Sequence, residues 1–321
     1  MKYSILFLFL LITSSYASWI WDPDHGWMNS KYAPKENAQQ QWKLALQQKE
    51  AKEYDEAAEL FYQLHKSYPF TPEGQNALAL AAECMTLDEE YYQAYLYWEE
   101  YIKTYPKSEK MPEILQKEYE LGAKLVRDKD DGINLSGFKI LSSAEDGIEI
   151  LKKLVQNSPF LDFIDDAQLL IANYYFKTEE YKLARAEYEK LINDYSKSEW
   201  CSFAQYQIAN CYWKEFRGTE FDIEILQSAK SKFEEYLQKY PDNQQAIEAK
   251  ENIKKIWELM AHKQLEIAEY YIYQEKNHAA RLYLQWIILK YPDTNSAAQA
   301  KLLMKKHNLE PFNTSDVQNV Q

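Results

Sequence analysis

One register of small and large residues, with a spacing of 24 in four of its six units, runs along this 321-residue chain and restricts what it can fold into. A small residue stands 24 positions ahead of a closing Pro or its substitute in Ala45 to Pro69, Ala82 to Pro106, Ala172 to Ser196 and Ala268 to Pro292. The interval is 37 in Gly122 to Pro159 and 32 in Ala209 to Pro241. Both excesses fall where a loop between two helices belongs. They cover Arg127–Ser143, rich in Asp, Gly and Ser, and Phe216–Asp222. Twelve positions before each closing residue stands a second small one: Ala57, Ala94, Gly147, Ala184, Ala229 and Ala280. Eight before it comes a large residue (Phe61, Trp98, Leu151, Tyr188, Phe233, Leu284), and five before it another (Leu64, Tyr101, Leu154, Leu191, Tyr236, Ile287). Small residues let two helices approach, and large ones fill the groove beside them.

The clearest unit is Ala261 to Pro292. Small residues sit at Ala268 and Ala280, large apolar ones at Ile267, Tyr271, Leu284 and Ile287, and a Tyr-Pro closes it. Apolar spacings of three and four on both sides of Lys276-Asn277 read as two amphipathic helices joined by a tight turn. A pair this short exposes one apolar face and must stack on copies of itself. Pro suits the closing position because a helix cannot continue through it. This is the tetratricopeptide pattern. The expected fold is all-α, a tetratricopeptide-repeat helical solenoid of six helix pairs plus a C-terminal capping helix. The units run over 38–71, 72–108, 109–161, 162–198, 199–243 and 244–294, the cap helix over 295–309, and a polar tail over 310–321. The tail holds a sequon at Asn313, relevant only in a glycosylating pathway. Seven glycines and ten prolines, with few Val/Thr-rich alternating runs, argue against a β fold.

Lys2, the apolar run Ile5 to Ile12 and then Ser15-Tyr16-Ala17 read as a secretory signal over 1–17, cut after Ala17. The run is shorter than the roughly 20 apolar residues a bilayer span needs. The expected product is exported. Residues 18–37 differ from the rest, with Trp19, Trp21 and Trp27 interspersed with Asp22, Pro23, Asp24, His25 and Gly26. Two readings stand: a non-helical N-terminal cap on the first repeat, or a docking segment for a partner, since Trp is favoured at binding hot spots.

The formal charge is -13, and no cluster of five or more Lys/Arg occurs. Nucleic-acid phosphates and anionic lipid surfaces both call for such clusters, so neither is an expected partner. Cys201 and Cys211 lie ten residues apart on one predicted helix, a rise of about 15 Å, too far for a disulfide. With Cys84 they read as small core residues.

No catalytic constellation emerges. His25, His65, His262, His278 and His307 are scattered, and neither a Gly-x-Ser-x-Gly elbow nor a phosphate-binding Gly loop is present. Asp128-Lys129-Asp130-Asp131-Gly132 resembles a calcium loop only superficially, because Arg127 and Lys129 occupy its first and third ligand positions. The chain reads as a non-enzyme needing no cofactor or metal. Stacked helix pairs bind extended peptides along their first helices. There Ile171-Ala172-Asn173-Tyr174-Tyr175-Phe176-Lys177 is echoed by Ile208-Ala209-Asn210-Cys211-Tyr212-Trp213-Lys214. Asn173 with Lys177, and Asn210 with Lys214, are four apart and share a face. An Asn amide can bond a peptide backbone and a Lys a terminal carboxylate; solvated helix polarity is the other reading. Leu46 is the unit-one counterpart of Asn173, and Trp42, one turn before it, lines the same inner face or packs under the tryptophan-rich segment.

The chain resembles the BamD-type (ComL-like) lipoproteins of the outer-membrane β-barrel assembly machinery. The likeness rests on Ala249 to Ile256 leading into Met260-Ala261, on Ile267-Ala268-Glu269-Tyr270-Tyr271, on Ala279-Ala280 and on Tyr291-Pro292-Asp293-Thr294. The Phe233–Pro241 segment followed by an unusually long Ala246–Tyr273 helix adds to it. The resemblance implies a helical scaffold contacting a barrel-inserting subunit through its C-terminal units, where Glu269 and Tyr270 are candidate contacts. It also implies N-terminal units that receive segments of unfolded outer-membrane proteins. Family members carry a lipid-bearing Cys at the cleavage site, whereas this chain reads Tyr16-Ala17-Ser18-Trp19. Peripheral membrane association would then come through protein partners. A general periplasmic adaptor in envelope maintenance or cell division is the alternative.

Overall fold

The computed structural model describes residues 19–22, 26–30, 37–127, 144–218 and 223–311. The expected signal at 1–17, the long insert after Arg127, residues 219–222 of the second insert and the sequon at Asn313 lie outside the described residues. Two strands, β1 (Trp19–Asp22) and β2 (Gly26–Asn29), are followed by α1 (Ala38–Glu50), α2 (Tyr54–Ser67), α3 (Pro72–Leu87), α4 (Tyr91–Thr104) and α5 (Met111–Arg127). Then come α6 (Ala144–Asn157), α7 (Ile164–Lys177), α8 (Tyr181–Asp194), α9 (Cys201–Glu215) and α10 (Ile223–Lys239). The last elements among the described residues are α11 (Ala246–Tyr273), α12 (Asn277–Lys290) and α13 (Asn295–Lys306). The fold is an all-α tetratricopeptide solenoid, and it divides into two compact units, Met1–Ile150 and Leu151–Gln321.

In the first unit the hairpin β1–β2 is antiparallel, with Trp21 opposite Trp27 and Trp19 opposite Asn29. Side chains alternate across a strand, so the three tryptophans share one face. The helix pairs follow the sequence register. Ala45, Ala57, Phe61 and Leu64 of the first pair are completely buried, as are Ala82, Ala94 and Tyr101 of the second. Asn37 caps α1 by accepting a hydrogen bond from the Gln40 amide at 2.9 Å, which satisfies one of the amides left free at a helix start. At the α5–α6 crossing Gly122 and Gly147 face each other. A Cβ on Gly147 would come within 2.7 Å of the Gly122 carbonyl, so the small-residue position is a steric requirement.

In the second unit α7 to α10 repeat the same scheme, with Ala172, Ala184, Tyr188, Ala209, Ala229 and Phe233 completely buried. Helix α7 ends in a turn that α1, α3 and α11 share. Thr178 closes α7, Glu179 takes a left-handed φ of 62°, and the Glu180 amide donates to the Tyr175 carbonyl at 2.9 Å. The same left-handed position is held by Lys52, Glu89 and Glu275. Units also close alike: the Ser198 amide donates to the Tyr195 carbonyl, and the Thr294 amide to the Tyr291 carbonyl. The intervening Ser196 or Pro292 is spared from donating, which is why Pro is tolerated there.

Helix α11 runs for 28 residues and serves two partners. Its first half packs Ala249 and Ile256 with α10, and its second half packs Ala261, Leu265 and Ala268 with α12 and α13. One expected core position shifts: Ile267 is 36% exposed, and Leu265 is buried in its place. The unbroken helix carries the apolar stripe through 261, 265 and 268, a three-and-four spacing that leaves 267 to one side.

Cys84, Cys201 and Cys211 are buried and unpaired. Burial pushes the Cys84 thiol up to about 11 and Cys211 to about 12, as expected of core residues.

Candidate functional site

The residues singled out in the sequence fall into committed and open groups. Trp42 is half-buried and packs edge-to-face on Phe61, with ring centroids 5.5 Å apart, so it belongs to the first hairpin's core. Asn173 is committed too: its Oδ1 accepts a 2.6 Å hydrogen bond from the hydroxyl of Tyr188. Asn210 donates from Nδ2 to Gln207 Oε1 at 2.9 Å, along its own helix. Lys177 and Lys214 are exposed at the ends of α7 and α9. Glu269 and Tyr270 are exposed near the end of α11, Tyr270 resting its ring edge on Tyr271.

Two of the pockets in the second unit bear on a binding site. The larger, about 730 Å³, lies among α6, α7 and α8. Three of its polar side chains bond one another. Gln168 donates to the Glu187 carbonyl and carboxylate at 3.0 and 2.9 Å, and Lys190 reaches the same carboxylate at 3.0 Å.

The smaller pocket, about 440 Å³, is different in kind. It forms where α10 and α12 lean on successive stretches of α11. From α11 come Trp257, Met260 and Gln264, spaced three and four apart and therefore on one face. From α12 come Trp286 and Lys290, one turn apart, followed by the buried Tyr291. From α10 come Ile223, Gln227 and Lys230. Trp286 and Tyr291 pack edge-to-face with centroids 5.2 Å apart, which fixes the indole against the helix end. Lys230 pairs with Glu234 at 2.9 Å, whereas Lys290 has no ion-pair partner among the described residues. No lining side chain is acidic, although the whole chain carries -13. Aromatic walls with a free ammonium suit an apolar or aromatic side chain borne next to a carboxylate.

None of the sequence-derived candidates lines this pocket, yet the register carried a signal for it. Six positions before the closing residue stand Gln63, Glu100, Lys153, Lys190 and Glu235, all polar. In the last unit that position is Trp286. Tryptophan is enriched at binding hot spots, so its appearance at a position that is polar in the other units is the signal.

Among the described residues no group of three or more His, Cys, Asp or Glu side chains is placed to hold a metal ion. Nor is any described helix long and apolar enough to cross a membrane. Stacked helix pairs with an open aromatic pocket define a tetratricopeptide-repeat protein, a class that mediates protein–protein interaction. Residues 41–71 match a tetratricopeptide-repeat family, and residues 141–316, more than half of the chain, match the YfiO family, described as outer membrane lipoprotein. The chain belongs to the YfiO outer membrane lipoprotein family. Neither family is one of enzymes.

No curated protein matches the chain. Among solved structures it is similar to PilW, a type IV pilus biogenesis factor, at 14% identity over 84% of this chain and 100% of that one, with a TM-score of 0.28. It is also similar to PilF of Pseudomonas aeruginosa, at 11% identity over 83% and 97% with a TM-score of 0.30. A tetratricopeptide protein of Thermus thermophilus matches at 18% identity over 68% and 99%, again at 0.30. Scores this low define no shared function.

Proposed function

We propose that this protein is a non-catalytic scaffold of the machinery that assembles β-barrel proteins into the outer membrane. It is exported and works in the periplasm, at the inner face of that membrane. Its protein partners are a barrel-inserting subunit, unfolded outer-membrane protein segments, or both. The observation that carries the reading is the pocket of Trp257, Trp286 and Lys290 in the last repeats, within the stretch that matches the outer-membrane family. A partner segment offering an apolar side chain and a carboxylate would bury both there, and helix-pair arrays commonly bind such segments. Exposed Glu269 and Tyr270 on α11 are separate candidate contacts.

Co-purification under mild detergent tests the reading. Recovery of a barrel-inserting subunit, reduced by Trp286→Ala and by Lys290→Glu, is the expected outcome. Recovery of cell-wall enzymes in its place would overturn it and favour a general envelope adaptor. That second reading is motivated by Tyr16-Ala17-Ser18-Trp19, which has no cysteine to take a lipid.

A further inference from the structure

The helical scaffold leaves the tryptophan hairpin unexplained. Trp19, Trp21 and Trp27 are 64%, 62% and 67% exposed. The register of β1 and β2 sets Trp21 directly across from Trp27, with ring centroids 5.7 Å apart and edge-to-face. Trp19, two residues along the same strand, shares their face. Each indole has roughly 150–250 Å² to bury, and here all three are held open to solvent on one small platform.

We propose that this face is a membrane-interface anchor: the three indoles insert at the boundary between lipid headgroups and acyl chains and hold the exported chain on the bilayer. Position supports a lipid occupant. The hairpin begins two residues after the cleavage expected at Ala17. The family is one of lipoproteins, whose members are held by acyl chains.

Chemistry sets the depth. A two-stranded hairpin keeps open edges with unpaired N–H and C=O groups, which cannot enter hydrocarbon. At headgroup level those edges stay hydrated, and tryptophan is enriched there because its ring is apolar while its N–H still finds an acceptor. Charge sets the lipid type. Between Ser18 and Asn29 the charged side chains are Asp22 and Asp24, with no Lys or Arg. Attraction therefore comes from the rings, so added salt should not weaken it and anionic lipid should not strengthen it. Three indoles give reversible attachment, as a single acyl chain does.

The test uses the exported protein, purified without detergent and floated with phosphatidylcholine vesicles. The expected result is co-flotation with a blue-shifted tryptophan emission, both insensitive to added salt. The variant carrying Trp19→Ser, Trp21→Ser and Trp27→Ser should partition at least about tenfold less while its helical circular dichroism is unchanged. A control removes Phe70 and Phe160, which are 99% and 97% exposed; Phe70→Ser with Phe160→Ser should float like the parent. If the parent protein stays in solution, or the triple variant floats as well as the parent, the anchor is overturned and the hairpin serves a protein partner. Vesicle binding is read without any assembly subunit, so it can fail while the barrel-assembly reading stands.

Discussion

The hydroxyl of Tyr188 donates to the side-chain oxygen of Asn173 across 2.6 Å, joining α8 to α7. Tyr188 is completely buried, and burial pushes its phenol pKa up, so the group stays neutral and needs an acceptor. Removing that acceptor strands a buried hydroxyl, at a cost of about 1–3 kcal/mol. Asn210 occupies the echoing position, but among the described residues its side chain bonds Gln207 on its own helix. Asn173→Ala is therefore expected to lower the urea midpoint clearly, and Asn210→Ala to leave it nearly unchanged. Equal effects of the two substitutions would contradict this division.

That pair also shows where sequence reading stops. Spacing placed Asn173 and Lys177 on one face of α7, and it located the buried positions Ala172, Ala184 and Leu191, because helical periodicity and side-chain size are local properties. The partner of Asn173 stands fifteen residues away on the next helix, and only the packing angle of the two helices brings it there. The Trp257–Trp286 pocket was hidden for a related reason: it needs three helices, and α11 had to run unbroken past two neighbours to open it. Trp286 alone broke the register in a way that could have been noticed. The tryptophan segment is unlike the repeats in sequence, but its pairing into a hairpin depends on a register that so short a run of apolar and turn residues does not dictate.

The turns between paired helices hold a second prediction. Glu179 sits at φ 62°, where a Cβ is crowded by about 1–2 kcal/mol. Its side chain is exposed. Glycine removes the crowding but loses roughly 0.5–1 kcal/mol to the greater freedom of the unfolded chain. Glu179→Gly should consequently raise stability slightly, by about 0.5 kcal/mol. Glu179→Val, β-branched at the same φ, should lower it by about 1 kcal/mol or more. Urea unfolding of the two variants checks the order, and a valine variant as stable as the glycine one would refute it.

Gly147 offers the opposite case, a glycine required by contact. Its added Cβ would lie 2.7 Å from the Gly122 carbonyl and 2.9 Å from both Leu125 Cβ and Val126 Cγ2. The backbone carbonyl cannot step aside without moving α5. Gly147→Ala should thus destabilise the first unit by about 1–3 kcal/mol, even though alanine is the better helix former. Gly218 also has a left-handed φ, of 78°, but nothing lies within 4 Å of its missing Cβ. There the smaller loss from Gly218→Ala would reflect backbone conformation alone. Thermal melts of the two variants separate crowding from conformation.

A carboxylate on another helix accepts three hydrogen bonds from the start of the last described helix. Glu258 on α11 accepts from the Asn295 amide at 2.7 Å, the Ser296 amide at 3.0 Å and the Ser296 hydroxyl at 2.7 Å. It faces the N-terminus of α13, where the helix dipole favours negative charge. Burial on its own would raise the carboxyl; the three hydrogen bonds, with help from His262, outweigh it and hold the group below its ordinary 4.5. A depressed carboxylate stabilises the folded form above its unfolded-state pKa, and that contribution fades as pH falls through the lower folded value. Docking of α13 should therefore be unchanged from neutral pH down to about 5 and weaken below about pH 4. Hydrogen exchange of the α13 amides would follow it. Glu258→Gln should loosen α13 already at neutral pH and flatten the acid dependence, because the amide keeps an acceptor but loses the charge. If wild type and Glu258→Gln show the same exchange profile across this range, the carboxylate is not what holds the helix.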